Sequence, residues 1–332
     1  MEFSDKQRQL LGLLADGDFH SGTVLAEQLK VSRAAVWKQL QSFIALGIEV
    51  NAIRGKGYRL ESSLSLLDAG LINTHLSASL QRQGIDIAIF EQCDSTNRYL
   101  MADARQGVAS GKVCLAEYQT AGKGRRGRQW VSPFGQNIIL SILWRFELGT
   151  ASIAGLSLAI GVAVIRALKN QGIADVGLKW PNDLVWQARK LGGILIEVSG
   201  ETGGPCAVVV GLGLNGFLPA KAAEDIQQAW VDLKHITGQS SLDRNRLTAE
   251  LLNVLFPLLA EFEATPLSTY LHEWRQYDCM LGKTVTVLLH NQKITGIVKG
   301  IDDDDGLLLL QDTQGRVQAF SSGEISFNTA LL

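Results

Sequence analysis

Within its first sixty residues the chain changes hydrophobic period, and that change restricts what it can build. Leu10, Leu11, Leu13 and Leu14 recur at helical spacing, with Gly17 as a stop. His20-Ser21-Gly22 opens a second helix whose inner face carries Val24, Leu25 and Leu29. After the short turn Leu29-Lys30-Val31-Ser32, Ser32 is a good N-cap for a third helix over Arg33–Ala45. Its apolar positions are Ala35, Val36, Leu40, Phe43 and Ile44. Past Gly47 the pattern becomes strand, turn, strand over 48–53, 54–57 and 58–60. Three helices and a glycine-rich hairpin outline a winged helix-turn-helix.

Charge sharpens this outline. The 332 residues hold 31 Lys+Arg and 33 Asp+Glu, a net −2 that taken alone argues against a nucleic-acid partner. That figure averages over unlike parts. Between residues 30 and 59 the basic residues are Lys30, Arg33, Lys38, Arg54, Lys56 and Arg59, and the one acid is Glu49, for a local net charge of +5. A recognition helix presenting Ser32, Arg33, Lys38 and Gln39, with a wing tipped by Arg54 and Lys56, would meet phosphates and base edges. A three-helix protein-interaction module with a solvated basic face would carry the same charges.

The remainder reads as two further units, so the expected domains are 1–62, 63–270 and 271–332. Residues 62–70 look like a connector. The middle unit mixes strands (85–91, 112–118, 137–146, 193–199 and 207–211) with helices (Thr96–Arg105, 153–170 and 243–263), an α+β or α/β pattern around one core. From 271 on, short alternating segments (284–288, 293–300, 306–311 and 316–321) suggest a small all-β, barrel-like domain, with Asp302 to Asp305 as an acidic hairpin turn. Hydrophobic residues make up 46%, enough for ordinary cores and too many for a disordered chain. Cys93, Cys114, Cys206 and Cys279 are scattered and form no C-x-x-C pair, which suits free thiols in the cytoplasm. The most apolar stretch, 153–165, is too short for a bilayer, which needs about 20 residues.

Three constellations carry chemistry. Residues 122–127 and 211–216 both match G-x-G-x-x-G, but neither is followed by the helix a dinucleotide fold requires. In the second, the glycines fit close strand approach or a tight turn. In the first, Lys123, Arg125, Arg126 and Arg128 alternate with glycines before Trp130, a mobile cationic loop suited to fold over a polyanion. Trp130 offers a flat face for a purine. The bland alternatives are a solubilising surface loop and a second DNA contact. The next constellation is Lys179-Trp180-Pro181-Asn182-Asp183, with Lys190 ahead of Leu191-Gly192-Gly193. Two lysines and a carboxylate suit nucleotide chemistry, with positive charge for phosphate and a carboxylate for Mg²⁺ or to orient a lysine. A plain strand-turn-strand would read the same way. The third is Cys93-Asp94-Ser95-Thr96-Asn97, where Asp94 or Ser95 also serves as an ordinary N-cap. No metal-ligand set is evident.

Taken together, these strings resemble the bacterial bifunctional biotin protein ligases that also repress the biotin operon. The resemblance rests on His20-Ser21-Gly22, Ser32-Arg33-Ala34-Ala35, Gly55-Lys56-Gly57-Tyr58, Asp94-Ser95-Thr96-Asn97, Ala116-Glu117-Tyr118-Gln119, the loop 122–128, Lys179-Trp180-Pro181-Asn182-Asp183, Arg189-Lys190-Leu191, Gly211-Leu212-Gly213-Leu214-Asn215 and Gly323-Glu324-Ile325-Ser326, in family order over nearly the whole chain. It implies an α+β multidomain fold: a winged helix-turn-helix, a central α/β domain of the biotin/lipoate ligase type and a C-terminal SH3-like β-barrel. It implies ATP, Mg²⁺ and biotin as reactants, and biotinyl-5'-AMP as intermediate and corepressor. The implied partners are the biotin carboxyl carrier protein of acetyl-CoA carboxylase, operator DNA and, with adenylate bound, a second copy of the chain; no membrane is implied.

Site residues carry over by motif. Ser95, Thr96, Asn97 and Gln119 should line the biotin site, with Ser95 and Gln119 on the ureido ring. Lys123, Gly124 and Arg125 fall on the loop that closes over biotin and adenylate. Trp130 should stack on adenine. Lys190 should sit against the reacting carboxylate and phosphate, with Arg125 and Asp183 completing the catalytic group. Lys179, Asn182 and Asn215 fall on the nucleotide side. One position departs from the family loop: Lys123 stands where arginine is usual, which keeps the charge and loses the fork. Two alternatives stay open, a DNA-binding metabolite sensor without catalysis and a lipoate-type ligase.

Overall fold

The computed structural model describes residues 3–200, 203–224, 226–239, 242–289 and 292–327. At the N-terminus three helices, α1 (Asp5–Leu14), α2 (Gly22–Leu29) and α3 (Arg33–Ala45), precede a hairpin of β1 (Val50–Ile53) and β2 (Gly57–Leu60). Ser4, Ser21 and Ser32 cap the helices through their side chains. Leu10, Leu14, Leu25, Val36, Leu40 and Phe43 form the core. Val24 and Ile44, expected inside, are 44% and 43% exposed, because their helical phase turns them away from the stripes of Leu25, Ala26 and Leu29 and of Val36, Leu40 and Phe43 that face the core. At Gly57 φ is 109°, and a Cβ there would lie 2.0 Å from the His20 carbonyl oxygen, so only glycine lets the wing pair with residue 20.

A connector leads to α4 (Ala69–His75) and α5 (Ala78–Gln83), capped by Asp68 and Ser77. The central domain follows as β3 (Ile87–Phe90), α6 (Thr96–Arg105), β4 (Val113–Ala116), β5 (Ile138–Phe146), α7 (Leu156–Asn170), β6 (Gly177–Lys179), β7 (Asp183–Trp186), β8 (Arg189–Gly200) and β9 (Cys206–Leu214). These strands make one seven-stranded sheet in the order β3-β4-β5-β9-β8-β7-β6. Short α8 (Ala220–Ala223) and α9 (Leu233–Thr237) lead to α10 (Arg244–Glu261) and α11 (Leu267–Gln276). Helix α11 runs through residue 270, so the division expected there falls inside a helix. The last described residues form a five-stranded antiparallel sheet of β10 (Thr284–Leu288), β11 (Lys293–Ile301), β12 (Leu308–Gln311), β13 (Val317–Phe320) and β14 (Glu324–Phe327), ordered β13-β12-β11-β10-β14.

Strand alternation decides where the site can be. Val208, Val210, Leu212 and Leu214 of β9 join Ile138, Leu140 and Ile142 of β5 in the main core with α7 and α10. The other face of β9 then carries Gly211 and Gly213, and that of β5 carries Ser141. Toward the far end of this face, α6 covers a smaller core of Leu100, Ala104, Cys114, Leu143 and Val209. The connector is fastened by a buried ion pair, Arg244 Nη1 to Glu117 Oε2 at 2.5 Å. Glu117 Oε1 also accepts from the Leu67 N–H, and Arg244 donates to the carbonyls of Ser65 and Asn137.

Candidate active site

On the glycine-bearing face of the sheet a cavity encloses about 960 Å³, its open mouth included. Ser95, Thr96, Asn97, Gln119, Lys123, Gly124, Arg125, Trp130, Lys179, Asn182, Asp183 and Lys190 all border it. Two serines, a threonine, an asparagine and a glutamine meet at the start of α6. Ser95 is its N-cap and is buried. Gln119 Oε1 accepts from the Thr96 backbone N–H at 2.9 Å and its hydroxyl at 3.2 Å. The Ser141 hydroxyl, from the middle of β5, donates to Asn97 Oδ1 at 2.6 Å and lies 2.7 Å from the Thr96 hydroxyl. Asn97 Nδ2 donates to Glu197 Oε2 at 2.8 Å and toward the Leu195 carbonyl. Asn97 is thus bound up with the sheet, more scaffold than open ligand group. Ser141 and Glu197 were not read from the sequence. A lone serine inside an apolar strand, at the register of an N-capped helix start, is the signal that could have found Ser141.

The two glycines of β9 make room for this group. A Cβ at Gly211 would stand 2.3 Å from Asn97 Oδ1, and one at Gly213 would stand 2.6 Å from the Trp130 ring. The Gly-x-Gly spacing is therefore a strand device that leaves space on one face, not a phosphate turn. Trp130 is half-buried, and its indole N–H is enclosed with no hydrogen-bond partner among the described residues.

Charge gathers on β6 to β8. Asp183 Oδ1 lies 2.7 Å from Lys190 Nζ, and Asp183 Oδ2 lies 3.4 Å from Lys179 Nζ. A bulge between Leu184 and Val185 shifts the β7–β8 register just where Lys190 sits, aiming it at Asp183. Asn215 is buried and donates to the carbonyls of Lys190 and Val231, so it braces the Lys190 backbone and borders only the neighbouring, wider part of the cleft. Asn182 Nδ2 donates to the Ile194 carbonyl at 2.6 Å, and its Oδ1 accepts from Arg125 at 3.4 Å.

The basic loop is tied to the C-terminal sheet. Residues Arg125–Gly127 form one 3-10 turn, with Arg126 at φ 57°. Arg125 reaches the Gly323 carbonyl at 3.3 Å, and Arg128 pairs with Glu324. The C-terminal sheet thereby holds the loop over the cavity. Burial, then neighbouring Arg126, pushes the Arg125 guanidinium below its usual range. The carboxylates of Asp183 and Glu324 pull the other way without cancelling it.

The DNA-reading candidates lie apart, on the N-terminal domain. Arg33, Lys38, Arg54 and Lys56 are exposed, and Ser32 is occupied as the α3 cap. Gln39 departs from its expected place. It is half-buried with Oε1 enclosed and unpartnered among the described residues, because at about 100° per residue it falls opposite the exposed arc of α3.

Comparison with known proteins agrees with this layout. Residues 89–215 match the Biotin/lipoate A/B protein ligase family, residues 280–328 the biotin protein ligase C terminal domain, and residues 6–59 an HTH domain. The chain is 42% identical over 321 residues to the bifunctional ligase/repressor BirA of Salmonella typhimurium, and 41% over 322 residues to that of Escherichia coli, covering 97% of each chain. The structure of the biotin protein ligase from Aquifex aeolicus in complex with biotin and ATP is similar with a TM-score of 0.60 and 27% identity, covering 73% of this chain and 97% of that one. The chain belongs to the family of bifunctional biotin protein ligases and repressors.

Proposed function

We propose that this chain joins biotin to a carrier-protein lysine at the expense of ATP, and represses transcription with the intermediate as corepressor. The observation that carries the reading is one cavity lined both by Arg125, Lys179 and Lys190 and by Ser95, Thr96 and Gln119. Biotin's carboxylate oxygen attacks the α-phosphorus of ATP, and pyrophosphate leaves with the bond electrons. The amine of the carrier lysine then attacks the acyl carbon of biotinyl-5'-AMP, AMP departs, and the amine loses its proton.

Each step needs what the cavity supplies. Carboxylate and triphosphate repel, and fixed cations offset that repulsion where charge builds up. Lys190 Nζ, oriented by Asp183, serves the reacting carboxylate and α-phosphate; Arg125 serves the phosphate from the loop. Ser95 and Gln119 bond the ureido ring, and Trp130, backed by Gly213, stacks on adenine. The loop shields the adenylate from hydrolysis. Among the described residues no group of three or more acidic, His or Cys side chains could hold a metal ion, and Asp183 and Glu324 are each engaged by cations. Mg²⁺ therefore fits as part of the substrate, carried on the ATP phosphates. The exposed basic face of α3 and the wing meets operator DNA, and two copies pair when adenylate is bound. No helix among the described residues is long and apolar enough to cross a membrane.

The test is biotin-dependent pyrophosphate release from ATP. Lys190→Ala should lower it by about a hundredfold or more, with thermal unfolding near that of the parent, since Asp183 keeps Lys179. Near-normal turnover in Lys190→Ala would contradict the role given to Lys190. No turnover in the parent chain would favour a sensor without catalysis.

A further inference from the structure

The exposed arc of α3 has an indole at its centre. At about 100° per residue, Arg33 and Lys38 flank the arc, and Trp37, Gln41 and Ala34 lie between them, with the exposed Ile44 one turn further on beside the Arg33 edge. All six are exposed, Trp37 at 46%, while Val36, Leu40 and Phe43 on the opposite side are fully buried. A large apolar ring held in water between two cations is unusual on a surface that carries no acid from Lys30 to Gly47. Trp37 does not close the core. It leans on Tyr58 of the wing, ring centroids 6.0 Å apart and 30° between planes. Tyr58 in turn covers Gly22 at the start of α2, close to the Arg33 side chain. Helix and wing thus fix the indole while its outer side faces solvent.

We propose that Trp37 is a base-reading residue, and that the group it reads is the C5-methyl of thymine in the major groove. This rests on the DNA-binding reading above. Arg33 and Lys38 supply sequence-independent phosphate contact, whereas an indole has no charge to offer phosphate. In the major groove the apolar group a base pair presents is the thymine methyl, and apolar side chains recognise it by contact. Tyr58 backing lets the ring meet that methyl in a set orientation.

The experiment uses the full chain with biotin and MgATP. Preferred duplexes are selected from a random pool, and each thymine is then replaced singly by uracil, which removes only the methyl. The parent should lose about fourfold in affinity at one thymine in each half-site, the value of burying one methyl-sized group. Trp37→Ala should bind the thymine and uracil duplexes equally, and Trp37→Phe should retain part of the difference. Uracil tolerated at every position, or a Trp37→Ala variant as sensitive to uracil as the parent, would overturn this proposal while leaving DNA binding intact. A uniform loss across all duplexes in Trp37→Ala, with uracil sensitivity kept, would likewise overturn it and make Trp37 a wing support. No binding to any duplex would overturn the repressor reading and this one together.

Discussion

A single methyl added at Gly213 would stand 2.6 Å from the Trp130 ring. Backbone on one side and indole on the other leave it nowhere to go, so Gly213→Ala should displace Trp130. Its expected effect is a rise of tenfold or more in the ATP Kd, on the order of the 1–3 kcal/mol that base–aromatic stacking contributes, with biotin affinity near that of the parent. Titration calorimetry with each ligand separates the two. The glycines were legible from the sequence as places of close approach. What approaches them was not, because Trp130 and Asn97 come from remote segments and only the sheet brings them there. Lys179, Asp183 and Lys190 were legible as a group because they fall on three consecutive strands, β6, β7 and β8, close together in the chain. Ser141 was not, since a serine in an apolar strand looks like tolerated polarity until the start of α6 lies over it. Gln39 shows the opposite failure: its residue type suits base contact, but its helical phase turns it inward.

At the scale of elements, segments with a clear period or flanking turn residues were readable, four-residue β4, β12 and β13 among them. Thr96–Arg105 follows from its apolar spacing and its Ser95 cap, and the body of α7 from apolar spacing alone, whereas α4, α5, β6, β7 and β14 lack a period of their own. The acidic turn is an exception, because its chemistry is local. Asp302 accepts backbone N–H groups from Asp304, Asp305, Gly306 and Leu307. It folds the turn so that the Gly306 carbonyl accepts from the Trp180 indole at 3.0 Å, joining the C-terminal sheet to the Lys-Trp-Pro-Asn-Asp segment. Burial alone would raise this carboxyl, but those N–H donors outweigh it and hold it below its ordinary value. Its contribution to stability is therefore present above the unfolded value of about 3.9 and lost as pH falls through the lower folded one. Asp302→Asn presents an amide to several donors, and should destabilise the protein at neutral pH by about 1–3 kcal/mol. In thermal unfolding, the gap between variant and parent should shrink below about pH 4.

Across the whole molecule the net charge of −2 conceals two basic zones on different domains, +5 over residues 30–59 and four cations in the loop 123–128. The domains are also joined. Phe3 stacks on Phe134 at 5.7 Å, just beyond Trp130 in the chain, and Arg8 pairs with Glu91 ahead of the Ser95 turn. DNA affinity should fall steeply as salt rises, as phosphate contacts require, and Arg54→Ala should lower the log–log slope by about 1 without changing sequence preference. A flat salt response in a fluorescence titration would exclude phosphate contact. Covalent transfer is read from the mass of an isolated carboxyl carrier domain. After incubation with the chain, ATP, Mg²⁺ and biotin, the carrier should gain one biotinyl group on one lysine, and none when ATP is withheld. A carrier of unchanged mass, or one modified equally well without ATP, would contradict it.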